Sequence, residues 1–371
     1  MRGRRGDGPV VLDVIGLDGL LTALRTDGYR VIGPTVRDDA IVLEEIDSVD
    51  RLPAGWGVDA RPGHYRLQRR ADAAMFAHSA GAHSWKQFLH PPRQRLFTED
   101  GAGYQPADDD YPRLAFFGVH GCDLAAIARL RTVLGGTAAF ARRADGLFVV
   151  AVACTEPGDV CFCASAGTGP APGTGYDVTL TELAGPDDHW FLAEAGSDAG
   201  TRALAAVPSR RAATAAETEQ AHTAVVDAAT RMGRRLPPGD LRDLLRDSRE
   251  SPRWDDVAQR CLTCGNCTMV CPTCFCTSTE DVTDLTGAHA ERAERWASCF
   301  ELDFSFLHGG SVRRSSASRY RQWMTHKLAT WHDQFGSSGC VGCGRCIAWC
   351  PVGIDITAEA AALAREHAGD A

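Results

Sequence analysis

The sequence predicts an α+β protein: a mixed α/β domain over residues 1–200, a helical linker over 201–250, and a mainly helical domain over 251–371 that carries a long insert. Three observations predict it. Short apolar runs alternate with helix-periodic segments through the first 200 residues. The chain then turns rich in Ala, Arg, Glu and Asp, with Pro237 and Pro238 as a break. Beyond Trp254 lie 11 of the 15 cysteines.

Taken in order, GLLTALRTDG (19–28) has helical spacing and a glycine stop, and YRVIGPTV and AIVLEEI read as two strands joined by a turn. RLAFFGV (113–119) is a buried-strand pattern that runs through His120 and Gly121 into LAAIARLRTVL, a helix that Asp123 is placed to cap. GLFVVAVAC (146–154) is a second apolar strand, followed by the Gly/Pro/Cys-rich loop TEPGDVCFCASAGTGPAPGTGYD and the alternating stretch YDVTLTEL. No G-x-G-x-x-G follows a strand, so a dinucleotide fold is not indicated. In the C-terminal half the insert, including RYRQWMTHKLATWHDQF (319–335), reads as helical, and TAEAAALAREHA closes the chain as a helix.

An odd total of 15 cysteines in 371 residues cannot be satisfied by intramolecular disulfides, and a chain of this size needs none to fold. The N-terminal MRGRRGDGPV is basic, but Asp13 and Asp18 break the apolar stretch after it, which lacks the core of a signal peptide. No apolar run approaches the length of a membrane span. A cytoplasmic, reducing location is expected, where abundant cysteine points to metal. The net charge of -9 offers no general basic field to nucleic acid. Residues 291–330 are the local exception, with seven basic residues against four acidic. They read as a solvated helix face, a docking patch around Arg313, Arg314, Arg319 and Arg321, or a counter-charge to buried anionic groups. HExxH, GxSxG and Walker A patterns are absent. His78, His83 and His90 stand at mixed spacing that suits ordinary core or surface histidines better than a metal site.

The chemistry is carried by two runs. CLTCGNCTMVCP supplies Cys261, Cys264, Cys267 and Cys271, and CVGCGRCIAWCP supplies Cys340, Cys343, Cys346 and Cys350. Each is C-x2-C-x2-C-x3-C-P, the spacing of two-cluster ferredoxins, in which three close thiolates hold one [4Fe-4S] cluster and the fourth reaches the other. Isolated C-x2-C pairs also occur in zinc sites, but duplication of the whole run favours two clusters. The crossed rule assigns Cys261, Cys264, Cys267 and Cys350 to one cluster. It assigns Cys340, Cys343, Cys346 and Cys271 to the other, provided the 68 intervening residues loop out. With every position taken by cysteine, such a pair transfers electrons and leaves no open site for substrate.

Seven cysteines remain. Cys122, Cys154, Cys161 and Cys163 lie at strand ends and in the glycine-rich loop. They could converge on a third metal centre, be inert buried thiols, or be redox-active. Cys274, Cys276 and Cys299 could serve a further cluster only with a non-cysteine ligand; packing near the first cluster is the plainer reading.

The segments FFGVHGCDLAAI, FARR, CTEPGDVCFCASAGTGP, GYDVTLTEL, CLTCGNCTMVCPTCFC, HGGSVRRSSASRYRQWMTHK and CVGCGRCIAWCPVGIDIT together resemble the iron–sulfur β subunit of cytoplasmic [NiFe]-hydrogenases of the sulfhydrogenase, or NAD(P)-linked, type. They are similar also to the A subunit of anaerobic sulfite reductase. One departure is His120-Gly121, where that family would have Arg-Pro before Cys122-Asp123. The resemblance implies an electron-transfer subunit with no nickel or flavin of its own and no substrate site. Its partners would be the hydrogenase small and large subunits and an FAD/NAD(P)-binding subunit. It also strengthens a third cluster at Cys122, Cys154, Cys161 and Cys163, and leaves Cys274, Cys276 and Cys299 without a role. The alternatives are the sulfite reductase subunit, a freestanding ferredoxin-like carrier, and an adaptor whose clusters only stabilise the fold.

Overall fold

The apolar runs of the first 200 residues become strands buried on both faces. A computed structural model describes residues 8–101, 103–107, 111–185 and 188–369; the basic residues Arg2, Arg4 and Arg5 lie outside them. An eight-stranded sheet has the spatial order Arg210–Ala212, Val10–Leu12, His189–Ala195, Val178–Ala184, Phe148–Ala153, Leu114–His120, Arg30–Arg37, Ala40–Glu45. The four strands from Val178–Ala184 to Arg30–Arg37 run parallel, and the outer pairs are antiparallel. Alternation along the strands divides the core. Val150, Val152 and Leu180 meet the helix Val14–Thr26 through Leu17, Leu20, Leu21 and Leu24, while Phe116, Val149 and Ala151 meet the helix Gly121–Leu134 through Leu124, Ile127 and Leu130. At Gly118 (φ +94°) the register slips, so that Phe117 and Val119 face opposite cores.

The helix over Val14–Thr26 is capped by Asp13 and ends before Gly28 at φ +84°. Asp38 and Asp39, both left-handed, make the two-residue turn between Arg30–Arg37 and Ala40–Glu45. Asp123 does not cap its helix. His120 stands at the N-cap, and Asp123 lies in the first turn with its carboxylate turned to Arg345. A distant cation outbids the local backbone amides for it.

After residue 200 the chain is mostly helical, with Ala215–Thr230 opened by a capping box of Thr214 and Glu217. The region before the linker also supplies a separate hairpin, Trp56–Arg61 with His64–Arg69. Apart from a 3-10 turn at Asp303–Ser305, the insert is helical over Ser316–Phe335, where residues 326–330 widen to a π-helix. Its first half is a β-hairpin, Thr277–Thr283 with Ala290–Trp296. The reason is a partner distant in sequence: Arg93–Glu99 pairs with Ala290–Trp296, and Tyr104–Pro106 completes a four-stranded sheet. Two of the insert's basic residues are engaged there, Arg292 on Asp281 and Arg295 on Glu280, while Arg321 donates to the carbonyl of Arg249. No helix among the described residues is long and apolar enough to cross a membrane.

Candidate metal centres

The two cysteine runs build the same loop twice. The residue two places after the first cysteine is left-handed in both, Thr263 at φ +51° and Gly342 at φ +65°. Its backbone N–H donates to that cysteine's sulfur, 3.4 Å to Cys261 Sγ and 3.4 Å to Cys340 Sγ. Such a conformation is costly for β-branched Thr263, and the hydrogen bond to sulfur is what it secures. Next, Gly265 (φ +77°) and Gly344 (φ +75°) cap the one-turn helices Asn266–Met269 and Arg345–Ala348. These carry Cys267 and Cys346, with Cys271 and Cys350 just beyond.

Space as well as φ demands glycine in the second loop. A Cβ on Gly344 would stand 2.4 Å from the carbonyl oxygen of Val160, and one on Gly342 2.6 Å from the backbone nitrogen of Cys163. Gly344→Ala is therefore expected to destabilise the chain by more than about 1 kcal/mol and to lower its iron content. Gly136→Ala, in open space, should do neither. Thermal melting and iron analysis of both variants check this.

Cys261, Cys264, Cys267 and Cys350 border one cavity, closed on its inner side by Phe300, Tyr320, Trp323 and Ile354, with Cys264 exposed. Cys350 Sγ accepts from the N–H of Ile354 at 3.3 Å. The last cysteine of the second run thus faces the first three of the other. Reciprocally, Cys271 lies near Cys340, Cys343 and Cys346, close enough that a thiolate on it disfavours theirs. Burial is the larger cause in each of the three, and it pushes Cys340 up to about 11. Burial also raises Cys261 and Cys267. Cys271 moves the other way. Hydrogen bonding from Cys274 holds it well below an ordinary thiol, and Lys327 and Thr273 add to this against its burial.

The N-terminal four are brought together as well. Cys122 follows the strand Leu114–His120 and Cys154 follows Phe148–Ala153, so both stand at the carboxyl ends of adjacent parallel strands, where open α/β sheets place their ligands. The loop that follows folds back to bring Cys161 and Cys163 to the same cavity, which Cys343, Arg345 and His78 also line. Hydrogen bonding to Cys163, then burial, raises Cys122; burial raises Cys154, and pushes Cys161 up to about 11. The glycine-rich segment packs against this site, since a Cβ on Gly169 would meet Cys163 Sγ at 2.8 Å. His78 is half-buried, its Nε2 is covered and without a hydrogen-bond partner, and its ring lies 5.2 Å from that of His120. His83 Nδ1 accepts from the N–H of Leu43 at 3.4 Å, and His90 packs on Trp296.

This site abuts the second run directly. Phe162 N–H donates to Gly342 O at 2.8 Å, and Thr168 Oγ1 to Val341 O at 2.6 Å. Between Cys122 and Cys343 lies a buried bidentate ion pair, Arg345 to Asp123 at 2.8 and 3.0 Å, with Arg345 Nε donating to Gly81 O at 2.9 Å. Sequence reasoning missed Arg345, because it reads there as an arginine between two ligand cysteines, with no local cue to a partner 222 positions away. Lys86 was equally unmarked, whereas Lys327 is among the basic residues of 291–330 for which a counter-charge to buried anionic groups was one reading. Both are buried beside Cys271 and Cys274, and Lys86, driven mainly by burial, falls to about 8.

Among the described residues no three His, Cys, Asp or Glu side chains are gathered closely enough to hold a single metal ion. Thiolates around a multi-iron cluster stand at its outer corners, farther apart than around one ion. The donor set, the N–H groups aimed at sulfur and the apolar lining suit iron–sulfur clusters.

Residues 260–354 match the family described as "4Fe-4S dicluster domain", which covers both runs and the insert between them. The chain thus contains an iron–sulfur domain of electron-transfer type. It is also similar, at 29% identity over 337 residues, to Sulfhydrogenase 2 subunit beta of Pyrococcus furiosus, with 88% of this chain and 90% of that protein covered. No solved structure matches the chain.

Proposed function

We propose that this protein is a non-catalytic electron-transfer subunit of a cytoplasmic, multi-subunit [NiFe]-hydrogenase. It connects the hydrogenase small subunit, and through it the large subunit, with a partner that binds FAD and NAD(P). Cys261, Cys264, Cys267 and Cys350 hold one [4Fe-4S] cluster; Cys340, Cys343, Cys346 and Cys271 hold a second; Cys122, Cys154, Cys161 and Cys163 hold a third. Bound there, the clusters supply one-electron transfer. The chain's own part is to fix their spacing and exclude water. Phe300, Tyr320 and Trp323 wall the first site, and Trp349 is pinned by its Nε1 to Ala80 O at 2.7 Å, with Tyr65 stacked on it.

The observation that carries this reading is continuity. Cys346 borders the first cavity, and Cys343 borders the N-terminal one. Three thiol-lined sites therefore follow one another from the exposed Cys264 to the carboxyl ends of the sheet, and no further buried catalytic constellation is needed to explain them.

The Cys161→Ser variant of the anaerobically purified chain is expected to lose about four iron relative to wild type while the other signals in its EPR spectrum persist. Unchanged iron would remove the N-terminal cluster from the proposal. Purification of the native complex tests the partners: nickel and flavin should accompany the chain, whereas sirohaem would overturn the hydrogenase reading in favour of sulfite reduction.

A further inference from the structure

The inner wall of the first cavity carries polar groups that no other part of the protein satisfies. The helix Ser316–Thr325, capped by Ser315, puts Arg319, Tyr320 and Trp323 on one face. Tyr320 and Trp323 line the cavity that Cys261, Cys264, Cys267 and Cys350 border. They are 3% and 4% exposed, and their rings stand 5.4 Å apart. The Tyr320 hydroxyl, Trp323 Nε1 and Arg319 Nε are all buried without a hydrogen-bond partner. Among the described residues seven buried side-chain atoms are left so, and three of the seven belong to this one helix.

Buried Tyr and Trp ordinarily turn their polar end to a partner, because leaving it unmet costs the full desolvation of the group. No neighbouring side chain claims these. Glu359, whose charge Tyr320 feels, is held instead by Arg253 at 2.6 Å and Arg260 at 2.9 Å. What the three groups do stand beside is sulfur. Burial raises the Tyr320 phenol well above its usual range; Glu359 adds to this, and so do thiolates at Cys267, Cys346 and Cys261. Burial raises Cys261 too, and Arg319 is near enough to act against that rise. The sulfurs of Cys261 and Cys350 already accept a backbone N–H of their own loops, at 3.4 and 3.3 Å. The acceptors missing from this wall are therefore those of the group that the four cysteines hold.

We propose that the Tyr320 hydroxyl and Trp323 Nε1 donate hydrogen bonds to sulfur of the first [4Fe-4S] cluster, with Arg319 adding positive charge beside Cys261, and that this helix face sets the cluster's reduction potential. The inference rests on the assignment of that cluster to Cys261, Cys264, Cys267 and Cys350. Donors to sulfur stabilise the more negative, reduced state, so they raise the potential. Cys264 is exposed, so the outer side of the cluster changes when a partner docks, while the helix inside keeps its donors fixed.

The test is an EPR-monitored redox titration of the full, anaerobically purified chain, with the first-run signal identified as the one that Cys261→Ser removes. Tyr320→Phe keeps the ring and deletes only the donor. It should retain the wild-type iron and shift the reduction equilibrium of that signal about tenfold toward the oxidised form, about 59 mV for one electron. The other signals should stay in place. Trp323→Phe and Arg319→Met should move the same signal in the same direction. A midpoint unchanged in both Tyr320→Phe and Trp323→Phe would overturn the donor role. An equal shift of every signal, or loss of iron, would make the two residues structural supports and overturn it as well. An unchanged midpoint in Arg319→Met would remove that charge from the proposal. Failure of the underlying cluster assignment looks different: Cys261→Ser would then lose neither iron nor a signal, and cluster and inference would fall together. Should Trp323→Phe loosen the wall, Tyr320→Phe still decides.

Discussion

Cys350→Ser is expected to deplete the cluster of the first cysteine run and to leave that of its own run in place. The geometry gives the reason. Cys350 shares a cavity with Cys261, Cys264 and Cys267, and Ile354 N–H at 3.3 Å aims at its sulfur. The second run's remaining thiols look instead to Cys271 across the pair of one-turn helices. Serine oxygen is a harder and poorer ligand for iron than thiolate. The first cluster should therefore convert or be lost, costing the chain about four of its iron atoms, while Cys271→Ser should strike the other cluster. The two single variants and their EPR spectra form the check. If Cys350→Ser removed the component that Cys343→Ser removes, the crossed assignment would be wrong.

The Arg345–Asp123 pair should show the largest effect on stability. Both groups are buried, and the fork of two hydrogen bonds is joined by a third to Gly81 O. Removing one partner strands the other as an uncompensated charge, which typically costs about 3–5 kcal/mol. Arg345→Met and Asp123→Leu should each unfold at clearly lower denaturant concentration. The double variant should recover most of the loss, because it removes both charges together. The pair also joins the N-terminal site to the second run, so single variants should lose iron at Cys122 and Cys343 before they unfold. Equal destabilisation in the single and double variants would show that packing, and not charge, is what the pair provides.

Local physics was legible in the sequence to a good depth. The strands Leu114–His120 and Phe148–Ala153 declare themselves by unbroken apolar runs, and the second half of the helix Val14–Thr26, read over 19–28, by its period and glycine stop. Failures share one cause. Asp123 has the right type and place to cap a helix, yet Arg345 claims it. Thr277–Thr283 gives little sign of its state because its hairpin is half-exposed and takes its order from Arg93–Glu99, nearly 200 residues earlier. Lys86 carries no local mark of burial, since a lysine reads as solvated until something is seen to cover it.

By itself the sequence determined the ligand chemistry. Spacing of C-x2-C-x2-C-x3-C-P depends only on neighbours along the chain, and so do the left-handed residues that wrap the loops, Thr263 and Gly265 in the first and Gly342 and Gly344 in the second. What only the tertiary structure decided is how the thiols that the spacing groups are brought to one place. The meeting of Cys350 with Cys261 and of Cys122 with Cys161 is set by the packing of two one-turn helices and the ends of two parallel strands. Those contacts span tens of residues or more. They follow from burying apolar faces and pairing strand edges, and no local pattern of residues records them.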